Sequence, residues 1–151
     1  MNGFDHALCL GIDALEDADS YRKFNVTATG IYVPEYGDEG KLIMITRANE
    51  KPNFHCRKRC AELKVMQLAS EAKRRLQALV VIGTPQRDDD SLVLSATLHP
   101  CRVCRRAMWY YYFEELQVIS DETRIITVRP DFSVIENQTL LQLLKIHGED
   151  Y

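Results

Sequence analysis

The sequence predicts an α/β fold, a three-layer α/β/α sandwich built from a single domain over residues 1–151. Three observations carry this. Segments of helical period alternate with short β-type runs, in the order helix, hairpin, helix, strand, helix, strand, strand, helix. One run, Leu79-Val80-Val81-Ile82, is wholly apolar, as expected of a central strand covered on both faces. The 151 residues contain no internal repeat, low-complexity tract or dividing linker, and a chain of this length forms one domain with a sizeable core.

Residues 4–18 place Phe4, Leu8, Ile12 and Leu15 at steps of four, four and three, an amphipathic helix with an acidic outer face. Cys9 lies in that apolar stretch and is expected in the core. Residues 24–33 mix β-branched and aromatic side chains and stop at Pro34. Turn chemistry over residues 37–40 and a second run over 41–47 complete a hairpin. Residues 49–59 are polar, include Pro52 and predict a loop. From Cys60 the pattern turns helical, with Ala61, Val65, Leu68, Ala69, Ala72 and Leu76 along one stripe. Residues 83–90, with Gly83, Pro85 and three consecutive aspartates, predict an exposed loop. Pro100 suits the start of a third helix, running through Arg105 to about residue 116. Residues 125–128 read as a strand, Pro130-Asp131 as a turn, residues 132–135 as another strand and 139–146 as a closing helix.

Hydrophobic residues at 46% and charged residues at 27% are the balance of a soluble globular protein, not a disordered one. A net charge of −3 excludes coating duplex DNA by bulk charge, though not a local basic site. No run of 18 apolar residues is present, so no transmembrane helix and no membrane partner are expected. The first 20 residues carry no Lys or Arg and five acidic residues, the opposite of a secretory leader's basic start, so the expected compartment is the cytoplasm. Five cysteines, at 9, 56, 60, 101 and 104, then suggest metal or catalytic use more than a disulfide framework.

Two short motifs carry the chemistry. Cys60-Ala61-Glu62 begins one helix and Pro100-Cys101-Arg102-Val103-Cys104 begins another. Alone, each is modest, since one C-x-x-C supplies two of the four ligands zinc takes. Together they present three thiols near helix N-termini, where free N–H groups and the positive dipole end favour thiolate. Three protein ligands leave one position open, the arrangement of a catalytic zinc. Glu62 lies two residues past the first ligand, placed to take a proton from water whose pKa zinc lowers toward about 7. His55 and Cys56, close before Cys60, are alternative fourth ligands that would close the site. The spacing matches the cysteine pair and non-ligand glutamate of zinc nucleobase deaminases, with Cys as first ligand where His is commoner.

At these residues the chain resembles the cytidine deaminase family. Tyr21-Arg22-Lys23-Phe24-Asn25-Val26 is similar to the family's Y-S-x-F-x-V entry to its first strand, and Asn49-Glu50 to its N-x-E segment, here without the intervening residue. Thr27 and Thr29 stand where the family has small residues. Cys60-Ala61-Glu62 and Pro100-Cys101-x-x-Cys104-Arg105 match its zinc motifs, and Arg129-Pro130-Asp131 with Leu143-Leu144 resemble its last hairpin and final helix. The likeness spans roughly residues 20–145, and only the zinc motifs are specific. It implies a mixed five-stranded sheet and a homo-oligomer, a dimer or often a tetramer with active sites completed by neighbouring subunits. It implies Zn²⁺ on Cys60, Cys101 and Cys104, with Glu62 as the acid–base group. Arg105 would donate to the cysteine sulfurs and offset their charge. Phe24 would pack on the base, the Ala61 backbone would donate to the base carbonyl, and Asn49 and Glu50 would hold sugar hydroxyls. The implied activity is hydrolytic deamination of cytidine, deoxycytidine or a related aminopyrimidine nucleoside.

Two features leave alternatives open. Arg57-Lys58-Arg59, with Lys64 on the following helix, is either solvated surface or a phosphate contact. Trp109 to Phe113 places five consecutive aromatics on one helix, more than a single core can take, which points to a subunit interface or to stacking on single-stranded bases. The rival readings are a polynucleotide cytidine deaminase acting on single-stranded nucleic acid and a catalytically silent zinc domain.

Overall fold

The computed structural model describes residues 3–20, 25–38, 40–51, 60–83, 102–113, 118–146 and 148. Helix α1 (Phe4–Ala14) runs through a 3₁₀ turn (Leu15–Asp17) into β1 (Asp19–Ser20), followed by β2 (Val26–Tyr32), β3 (Met44–Ala48) and β4 (Glu50–Lys51). Next come α2 (Ala61–Glu71), β5 (Leu76–Gly83), α3 (Arg102–Phe113), β6 (Arg124–Val128), β7 (Val134–Gln138) and α4 (Leu140–Ile146). The expected element order holds, with one addition. β1 and β4 form a two-residue parallel pair, Asp19 beside Glu50, at the start of the segment expected to be all loop. Among the described residues no helix is long and apolar enough to cross a membrane.

The main sheet is mixed and five-stranded, in the order β3-β2-β5-β6-β7. β2 pairs antiparallel with both β3 and β5, β5 and β6 are parallel, and β7 returns antiparallel. β5 is the central strand, as its apolar run requires, and residues 78–83 are all buried. Leu79 and Val81 enter a core shared with α2, α3 and α4. Ala78, Val80 and Ile82 enter a second core with Ala7 and Leu8 of α1. The sheet is therefore covered on both faces.

Two glycines set how closely the layers approach. A Cβ on Gly30 would lie 2.6 Å from Val65 and 2.8 Å from Leu76, so the Val65 side chain of α2 occupies the space a larger residue would need. On the other face a Cβ on Gly11 would lie 2.5 Å from Ile82, and there the Thr27 hydroxyl donates to the Gly11 carbonyl at 2.9 Å.

Helix α2 ends earlier than its apolar stripe suggests. Lys73 adopts positive φ, its N–H donates to Ser70 O, and the Arg74 N–H reaches back to Ala69 O at 3.0 Å. This is a Schellman closure made without glycine, and it hands Leu76 to β5. A four-residue turn, 72–75, then reverses the chain, so α2 runs antiparallel to β5 and begins at the strand's C-terminal end. α3 lies in the crossover between the parallel strands β5 and β6 and also begins at that end. Both helix starts thus share the edge where open α/β sheets bind ligands.

Candidate active site

Cys60 is the N-cap of α2, with extended backbone (φ −73°, ψ 141°), and its side chain makes no capping hydrogen bond. It is 8% exposed, and Ala61 is fully buried. Glu62, in the first turn, is 6% exposed. A buried carboxylate needs compensation, and Glu62 is engaged by neighbours, as are Cys60, Cys104 and Arg105. Glu62 faces inward because it shares a helical stripe with Val65, Met66 and Ala69, all fully buried. Cys104 is fully buried in the first turn of α3, and α2 packs against α3. Arg105, next on the helix, is half-buried.

The fold therefore brings Cys60, Ala61, Glu62, Cys104 and Arg105 to neighbouring helix starts. Cys101 and Phe24 lie outside the described residues, as do His55, Cys56 and the run Arg57-Lys58-Arg59. Among the described residues no group of three Cys, His, Asp or Glu side chains gathers as a metal site. The donor chemistry that is present suits zinc: two buried thiols at the positive ends of two packed helices, beside a carboxylate.

Asn49 and Glu50 sit at the corner where β3 passes into β4. Asn49 is 5% exposed, and its side-chain oxygen accepts the Val26 N–H at 3.0 Å while its own N–H donates to the Val26 carbonyl at 2.9 Å. The Glu50 carboxylate forms an ion pair with Lys64 of α2, whose Nζ also donates to the Ala48 carbonyl at 2.7 Å. Lys64 is thus committed to the fold rather than extending the basic run toward a phosphate. Its role escaped the sequence because the partners lie 14 and 16 residues away. The only signal was helical geometry: two residues past Glu62, it must point to another side of α2.

Cys9 is exposed, which corrects the expectation that it is core. It follows Leu8, and the step of about 100° per residue turns it off the stripe that meets the sheet. The aromatic run of α3 divides by helical phase. Tyr111 is buried, Trp109 and Tyr112 are half-buried, and Tyr110 and Phe113 are exposed. Trp109 contacts both Tyr112 and Phe113, with ring centroids 5.9 and 4.4 Å apart.

Compared by sequence, the chain matches no protein-family model and no curated protein. Compared by structure, it is similar to cytidine deaminase from Burkholderia pseudomallei, with TM-score 0.60 and 19% identity over 93% of this chain and 94% of that one. The enzyme from Mycobacterium leprae gives 0.59 and 23% identity over 95% and 98%. That from Mycobacterium tuberculosis gives 0.57 and 21% over 93% of both chains. The chain has a cytidine deaminase-like fold.

Proposed function

We propose that this protein is a zinc-dependent hydrolytic deaminase of cytidine, deoxycytidine or a related aminopyrimidine nucleoside. The observation that carries the reading is the burial of Glu62 two residues past Cys60, at a helix start packed against the helix that buries Cys104. A fold shared with solved cytidine deaminases supports it. Cys60, Cys101 and Cys104 would hold the zinc, which when bound supplies a Lewis acid and makes water nucleophilic near neutral pH.

The protein's own residues account for positioning and proton transfer. Glu62 accepts a proton from the attacking water, delivers it to the ring nitrogen N3, and assists a second transfer to the departing amino group. The C4–O bond forms, the C4–N4 bond breaks, and ammonia leaves as C4 becomes a carbonyl. Burial aids this step by excluding competing solvent from the carboxylate. Ala61 opens α2, where backbone N–H groups lack helical partners, and its N–H donates to the base's carbonyl oxygen. Phe24 packs on the base. Arg105, one residue past Cys104, offsets the negative charge of the thiolates.

A screen over cytidine, deoxycytidine, their monophosphates, cytosine, guanine and single-stranded DNA, reading ammonia release, tests the proposal. Turnover of an aminopyrimidine nucleoside is expected. Preference for single-stranded DNA with steeply salt-dependent binding would favour a polynucleotide enzyme. Bound zinc without turnover of any of these would favour a silent zinc domain.

A further inference from the structure

The first turn of α2 carries Cys60 and Glu62, and the Cys60 side chain makes no capping hydrogen bond there. Helix starts leave several N–H groups without helical partners, and a cap ordinarily ties the first turn down. Lys64 ties the other end of the turn to the sheet. Its backbone N–H donates to the Cys60 carbonyl at 3.2 Å and closes the turn. Its ammonium group donates to the Ala48 carbonyl at 2.7 Å and pairs with Glu50. Ala48 is in turn held to β2 through the pairing Thr27–Ala48, and the next residue, Asn49, is bonded to Val26 through both its backbone and its side chain. One residue therefore connects the turn bearing Cys60 and Glu62 to the rigid end of the sheet.

We infer that Lys64 and Glu50 form a clamp in which Lys64 is a positioning residue for Glu62, and that the main work of Glu50 is to hold Lys64 rather than a substrate's sugar hydroxyls. The Lys64 side chain is 19% exposed and that of Glu50 is 45% exposed, so the pair sits at the margin of the fold, partly shielded from solvent. Neutralising Glu50 removes the ion pair and leaves the ammonium group only the Ala48 carbonyl, and removing Lys64 releases both Ala48 and Glu50. Either change frees the first turn of α2 to shift. An acid–base group displaced by a fraction of an ångström transfers protons less efficiently without weakening substrate binding in proportion. The turnover consequence rests on the deaminase reading above, while the clamp itself does not.

The test compares Lys64→Met, Glu50→Gln, the double variant and Lys64→Arg with wild type. Hydrogen exchange at the amides of residues 64–66, which close the first turn, should quicken by about tenfold or more relative to the rest of α2 in both Met and Gln variants. With cytidine, kcat should fall by about tenfold in each, KM should stay within about threefold, and the double variant should be no worse than the poorer single one. Losses should be equal on cytidine and 2′,3′-dideoxycytidine. Lys64→Arg, which keeps the charge, should recover most of the protection. Glu50→Gln retains side-chain shape and so tests the clamp even where Lys64→Met does not fold. Unchanged exchange in both single variants would overturn the inference. So would a Glu50→Gln variant that raises KM for cytidine and spares the dideoxynucleoside, since that marks a sugar contact. If wild type turns over neither nucleoside, the deaminase reading fails and exchange alone decides the clamp.

Discussion

Asn49 meets Val26 twice: its side-chain oxygen accepts the Val26 N–H at 3.0 Å, and its own N–H donates to the Val26 carbonyl at 2.9 Å. Both residues are buried, so the carboxamide extends the β2–β3 ladder past its last paired strand residue, Ala48. Water cannot readily replace this bond.

Asn49→Ala should therefore destabilise the fold by about 1–3 kcal/mol, the cost of leaving the Val26 N–H buried without an acceptor. Asn49→Asp keeps an acceptor oxygen and should recover part of the loss. Thermal or urea denaturation measures both. An Asn49→Ala protein as stable as wild type would mean that the Val26 amide finds another partner.

The purified protein should carry about one zinc per chain, held by Cys60, Cys101 and Cys104. The motivation is the burial of Cys60 and Cys104 at packed helix starts, with Cys101 three residues before Cys104. Elemental analysis of the triple Cys→Ser variant should find the metal gone. Full retention would assign the zinc to other ligands.

Glu62→Gln preserves the volume of a nearly fully buried side chain and removes its ability to carry a proton. Zinc content and melting temperature should stay near wild type while kcat for cytidine falls by at least about 10²-fold. Undiminished turnover would show that another group moves the proton.

What the sequence could announce was governed by local chemistry. Residues 79–82 had to be central because nothing else satisfies four adjacent apolar side chains on a strand. The Cys60-Ala61-Glu62 motif announced a helix start, while the inward turn of its acid, on a stripe with Val65, Met66 and Ala69, became visible only in the fold. Leu76 misled because its spacing continues the α2 stripe. The left-handed turn at Lys73 interrupts the helix first, and no glycine marks it. The β1–β4 pair and the Lys64–Glu50 contact joined polar residues distant in sequence. No periodicity encodes such meetings; they follow from where the sheet edge and α2 come together.

The acid side of the stability profile should report the loop between β2 and β3. Asp38 is held below its ordinary carboxylate pKa of 3.8, first by the Glu35 N–H and then by Arg74, whose Nη2 lies 2.6 Å from Asp38 Oδ2. Arg74 also donates to the Val33 carbonyl at 3.1 Å and lies over the Tyr32 ring, so it gathers the loop. Because the folded-state pKa is depressed, this contribution is complete above the unfolded value and is lost as pH falls through the folded one. The melting-temperature gap between wild type and Asp38→Asn should be constant from pH 7 to about 5 and close below about pH 4. Comparing the two proteins at each pH removes losses they share. A gap that persists undiminished at pH 2 would mean the charge of Asp38 contributes nothing.

The last prediction concerns assembly. Val103, Tyr110 and Phe113 of α3 are 64%, 46% and 57% exposed, and their spacing of seven and three residues sets them along one side of the helix. Trp109, Tyr112 and Phe113 are in mutual ring contact, and the Tyr112 hydroxyl donates to Asp121 at 2.5 Å, so the exposed rings stand on a fixed base. Pre-ordered aromatics lose little entropy on burial, which is why they anchor interfaces. The protein should therefore form a homo-oligomer at micromolar concentration, and Tyr110→Glu with Phe113→Glu should lower its mass by light scattering without unfolding it. A wild-type protein that scatters as a monomer would contradict the interface. Its aromatics would then be available for stacking on single-stranded bases, and binding that weakens steeply with salt would follow.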